Sequence, residues 1–91
     1  MMGRQVTVSL QEEAEAVRTR DDLAHFLRVA MADLQARPRK WENSTLERFL
    51  EAWAAWVEDL PGWYANRGAD VPDQPDWNLV ANMVLAARIY E

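Results

Sequence analysis

No cysteine occurs in the 91 residues, so the chain has no disulfide framework, no thiolate nucleophile and no zinc–thiolate site. Histidine is nearly as scarce. The one imidazole, His25, lies off the apolar stripe around it and has no serine or cysteine partner, so it reads as a surface residue; a metal site built on it would have to be completed by carboxylates. Neither a phosphate loop nor metal-ligand spacing is present, so the pattern calls for no cofactor and no catalysis. No apolar run approaches the roughly 20 residues of a membrane span, and MMGRQVTVSL lacks the features of a secretory signal. A cytoplasmic setting without membrane contact is the expectation. Cations are outnumbered, 10 against 15 acidic residues, for a net charge of −5. The only tight basic group, Arg37, Arg39 and Lys40, surrounds Pro38 in a linker, which argues against a nucleic-acid partner.

What is abundant is apolar surface. Hydrophobic residues make up 49% of the chain and five of them are tryptophan. A chain this short supports one core, residues 1–91 forming a single helical domain. Each buried indole removes about 150–250 Å² from water, which offsets the small size.

Residues 1–8 read as an extended lead-in. A strand is the competing reading, but no other segment offers it a period-2 partner. Ser9, with Glu12 three residues on, is a capping box that starts a short helix over Leu10–Val17. Thr19 and Asp22 repeat the device. Leu23, Phe26, Leu27, Ala30, Met31 and Leu34 then follow one helical face until Pro38 ends the helix. Ser44 and Glu47 form a third S-x-x-E box before Leu46, Phe49, Leu50, Trp53, Val57 and Leu60, the predicted inner stripe of the third helix. Trp56 stands one step aside, at the boundary. Asn43-Ser44-Thr45 also spells a glycosylation sequon, but helix capping accounts for those residues.

The predicted outer face carries Glu47, Glu51, Glu58 and Asp59, with Arg48 among them and Ala52 and Ala55 as a floor. Paired carboxylates of this kind suit either a cation or plain solvation. Between those extremes, a shallow acidic strip could dock a basic partner. Pro61-Gly62 is read as a helix stop, followed by a long loop in which Trp63 and Tyr64 either cap the core or anchor a partner. Asn66 and Arg67 continue that loop, and Gly68 supplies a turn. The PDQP string is too isolated to mark an SH3 ligand. Asp76 caps a last helix, Trp77 to Tyr90, whose polar residues are so few that it must be covered on more than one side. The cover comes either from the other helices or from a second copy in a homodimer.

The run WENSTLERFLEAWAAWVEDLPGWYANRG, with PDW and the terminal ARIYE, resembles a family of small uncharacterised bacterial proteins of about this length. Its pattern is W-E-N-x-T-L, F-L-E-A-x-x-A-W and I-Y-E. The resemblance spans Thr19 to Glu91 and departs at Trp63, where another aromatic is usual. It implies a stand-alone bacterial cytoplasmic domain of unknown function and assigns no catalytic residue.

The fold expected is all-α: three main helices and a short N-terminal one, orthogonal or loosely antiparallel. The function expected is a protein-interaction module, with a toxin-neutralising immunity protein as one version. Its candidate residues are Glu47, Glu51, Trp56, Glu58, Asp59, Trp63, Tyr64, Asn66 and Arg67. A small-molecule or regulatory domain with a tryptophan-lined pocket is the alternative.

Overall fold

Ser9 turns the chain into its first helix as the local sequence dictates. Its hydroxyl accepts from the Glu12 amide at 3.1 Å, and the Glu12 carboxylate accepts from the Ser9 amide at 3.0 Å. In this computed structural model, which describes residues 9–90, the helix is α1 (Leu10–Glu15). Thr19 and Asp22 cap α2 (Arg20–Ala36) in the same way. These bonds hold the Glu12 carboxyl below its ordinary value, through the backbone amide of Ser9 first. Asp22 is lowered chiefly by the backbone amide of Arg18. The lead-in over residues 1–8 lies outside the described residues.

After α2 a 3₁₀ turn (Pro38–Lys40) leads to Trp41. The third helix, α3 (Leu46–Glu58), starts one residue later than the predicted box. Thr45, not Ser44, is the cap, and its hydroxyl accepts from the Arg48 amide at 3.2 Å. A further correction concerns the long loop. Pro61-Gly62 does not stop the chain's helical course, because α4 (Leu60–Ala65) begins there and carries Trp63 and Tyr64. Proline in a first helical turn forfeits no intrahelical bond, so it can open a helix as readily as end one. Gly68 then takes a φ of +70°, and Asp76 caps α5 (Trp77–Ala87) through the Leu79 amide at 2.7 Å. The described residues are thus all-α, with five helices rather than four.

The last helix is the centre. α1, α2 and α3 all pack on α5, and α1 also packs on α2, whereas α2 and α3 do not pack on each other. Ala14, Val17, Phe26, Ala81 and Val84 form one core cluster, and Trp56, Leu60 and Leu79 a second. α5 is thus covered by α1, α2 and α3 on the sides they occupy, while Trp77 at its start is exposed.

Two asparagines fasten this arrangement at long range. The Asn78 side-chain amide donates to the carbonyls of Ala14, Glu15 and Val17 at 3.1, 3.1 and 2.9 Å, closing the C-terminal end of α1. Asn43 does the same for α5, donating to the carbonyls of Ala87 and Tyr90 at 2.9 and 2.7 Å. Carbonyls at helix ends lack intrahelical donors, and a side-chain amide supplies them.

Candidate functional site

The site is built around α3, whose sides meet three different surroundings. Its buried line is Ala52 and Trp56, at 5% and 6% exposure, with Leu60 just beyond the helix end. The predicted inner stripe is therefore misplaced by about a quarter turn of the helix. Leu46 is 74% exposed and Leu50 53%, and Val57 is exposed as well. Phe49 and Trp53 are half-buried, and Ala52, assigned to the outer face, is buried instead. The helix rolls because α5 and α4 hold Trp56, whose ring meets Trp63 edge-on at 5.5 Å between centroids.

On one side of this buried line, α3 faces α2 across an apolar groove of about 440 Å³. Leu27, Met31 and Leu34 of α2 make one wall; Leu46, Phe49 and Trp53 make the other. Val80 and Val84 of α5 form the floor, and Trp41 closes one end. The wall is stiff where the rings meet. Phe49 stacks on Trp41 at 6.1 Å and stands edge-on to Trp53 at 5.9 Å. Trp41 itself is buried and donates its indole N–H to Asp33 at 2.8 Å, while Arg37 pairs with the other oxygen of that carboxylate at 2.9 Å.

The opposite side of α3 opens onto a shallow trough of about 650 Å³, lined by Glu42, Glu47, Arg48, Glu51, Ala55 and Tyr90. Here the predicted acidic strip exists, with Ala55 on its floor. Glu58 is exposed further along the helix. Asp59 accepts a short hydrogen bond from the Tyr90 hydroxyl, and that bond, ahead of burial, raises the Tyr90 phenol above its ordinary value.

The predicted aromatic members lie elsewhere. Trp63 is half-buried between Trp56 and Tyr64, whose ring is 4.9 Å away, edge-on. The Arg67 guanidinium sits 3.7 Å over the Trp63 ring, and it also donates to the Trp63 carbonyl at 3.4 Å. Burial, then the Asp76 charge, raises the Tyr64 phenol. Asn66 is exposed at the end of α4. Eight of the nine predicted residues therefore form two groups, and Asn66 belongs to neither. Glu47 and Glu51 line the trough, with Glu58 and Asp59 further along; Trp56, Trp63, Tyr64 and Arg67 make a packed aromatic cluster.

The groove was missed as a site because its residues carry the sequence signature of a core. The usable signal was an excess: the apolar residues of α2 and α3 together outnumber the positions that α5 can cover. His25, exposed as expected, lies 4.0 Å from Glu13 of α1, a neighbour that only the fold supplies.

A family model described as a family of unknown function (DUF7660) matches residues 19–91, and the chain belongs to that family. The matched span holds both asparagines, the groove and the trough. No curated protein and no solved structure matches the chain. No helix among the described residues is long and apolar enough to cross a membrane.

Proposed function

We propose that this member of the family is a protein-interaction module that holds a basic partner protein along α3. The observation that carries the reading is the uncovered apolar wall of the α2/α3 groove, with Leu46 and Met31 at 74% and 54% exposure. Leaving such side chains in water forgoes about 25 cal/mol for each Å² that could be buried. Contiguous apolar patches are rare on proteins that act alone and mark the places where another surface docks. Glu47 and Glu58 follow Leu50 around the exposed side of α3, between this wall and the trough that Glu51 also lines, and their field favours encounter with a cationic surface. Neutralising a toxin by covering a basic active site is one form this activity takes. Trp63 and Tyr64, half-buried on α4, support the surface rather than anchor the partner.

A photo-crosslinking residue at Leu50 tests the reading in the native host. The expected result is one identified protein that binds again when both components are purified, and that is lost in the Met31→Asp variant. Cross-links scattered over many abundant proteins, unchanged by that variant, would count against it.

A second reading has its own support. The groove volume falls within the roughly 300–1,000 Å³ usual for small-ligand sites, and Trp41 and Trp53 line it. On this reading, titration with a set of apolar metabolites gives saturable quenching of tryptophan fluorescence that the Trp53→Leu variant weakens.

A further inference from the structure

We infer that the occupant of the α2/α3 groove is an amphipathic α-helix of the partner, bearing lysine or arginine along the flank that faces α3. This rests on the interaction reading above and specifies the partner's shape and charge.

The packing supplies the shape. α2 and α3 both lie on α5 with their backbones held apart, so the groove between them occupies the fourth corner of a four-helix arrangement. Leu27, Met31 and Leu34 recur at i, i+4 and i+7, and Leu46, Phe49 and Trp53 at i, i+3 and i+7. Such rows are the ridges between which a third helix seats its own. The stretch from Leu27 to Leu34 spans about 10 Å, roughly two helical turns, so the occupant needs apolar anchors at i, i+3 or i+4, and i+7. An extended peptide finds little here, because the walls are helices whose backbone groups are already bonded and the described residues form no sheet edge. At the groove's mouth, the Asn43 side-chain amide is likewise engaged with Ala87 and Tyr90.

The charge follows from the two rims. The groove lining itself holds no charged residue; beyond Leu50 the exposed side of α3 carries Glu47 and Glu58, with Glu51 further toward the trough, and none of the three forms an ion pair among the described residues. Across the groove, the exposed side of α2 carries Arg28 beyond Met31. A helix lying between these rims gains from cations on its α3 flank and loses from carboxylates there. A second copy of this chain, with a net charge of −5, would meet the acidic rim with more acid.

The test uses two designed helical peptides of about five turns that share one apolar face. One carries lysine along a single flank, the other glutamate in the same places. Each is titrated into the full chain, followed by tryptophan fluorescence and by the anisotropy of a peptide label. The lysine peptide is expected to saturate and to bind at least about tenfold more tightly at low salt. The difference should collapse in the triple variant Glu47→Gln/Glu51→Gln/Glu58→Gln. Met31→Asp should abolish binding with an unchanged circular dichroism spectrum. Equal binding of both peptides overturns the charge assignment. Binding that survives both Met31→Asp and Leu46→Asp places the helix elsewhere and overturns the site. If neither peptide binds while the Leu50 cross-link to a partner persists, the helical occupant is wrong and the interaction reading stands; if the cross-link also fails, both fall. A dimer in light scattering that Met31→Asp dissociates assigns the groove to a second copy and overturns the inference.

Discussion

α3 and α5 are both strongly apolar helices, and they end in opposite circumstances. α5 is covered by three neighbours, and its Leu79, Ala81, Val84 and Ala87 are all buried. α3 leans on α5 along Ala52 and Trp56, with Phe49 and Trp53 half-buried beside them, and leaves Leu46, Leu50 and Val57 in water. An apolar period shows that a helix has a face to cover. What covers it is a property of the other elements. Where the fold supplies too few of them, the remaining face is a surface for something else.

The sharpest way to break this comparison is to truncate one residue on each side of α3. Trp56→Ala should cost about 3–5 kcal/mol, enough to abolish most of a small domain's stability, because it opens a cavity between α3, α4 and α5. Leu50→Ala, although it lies in the predicted inner stripe, should stay within about 0.5 kcal/mol of the parent in urea denaturation. Equal losses at the two positions would mean that the exposed wall is covered in solution.

Next in size is Asn78→Asp, which replaces the donor shared by three carbonyls with a carboxylate facing them. The loss should be about 2–4 kcal/mol in thermal or urea unfolding, from stranded acceptors plus repulsion. Asn78→Ser should cost less, since a hydroxyl can still donate once. Smaller again is the cap of α3: Thr45→Ala should lower stability by about 1 kcal/mol while Ser44→Ala leaves it unchanged, the reverse of what the S-x-x-E string implies.

The smallest effect concerns pH. Glu12 and Asp22 have folded-state carboxyls held below their ordinary values of 4.5 and 3.8. Their contribution to stability is therefore complete above those values and is lost as the pH falls beneath them. The pair Glu12→Gln and Asp22→Asn, which removes the titrating carboxyls themselves, should flatten that acid limb of the stability curve, which urea titrations between neutral pH and pH 3 would show.

These cases also mark how far the sequence could be read. The boxes at Ser9 and Thr19 and the cap at Asp76 were legible because their partners stand three residues away and no other element takes part. The start of α3 was missed by one residue because Ser44 and Thr45 compete for the same role. α4 was missed because Pro61 has the same identity whether it stops a helix or opens one. The roll of α3 was invisible, since it depends on where α5 and α4 place Trp56. The Asn43 and Asn78 clasps were equally hidden, bridging sequence separations of up to 47 and 64 residues. Of the candidate site, the acidic strip could be read as solvated charge, but the apolar groove could not be told from a core.

The position of α5 at the end of the element order has a consequence for synthesis. A ribosome delivers α1 to α4 before the helix on which three of them lie, so Trp41, Trp53, Trp56 and Trp63 are made before α5 is there to close around them. Folding can begin locally, one capped helix at a time, but the cooperative step waits for α5. At about 5–20 residues per second, that leaves Phe26, Ala52 and Trp56, buried in the finished fold, exposed for seconds to chaperones and to sister chains alike.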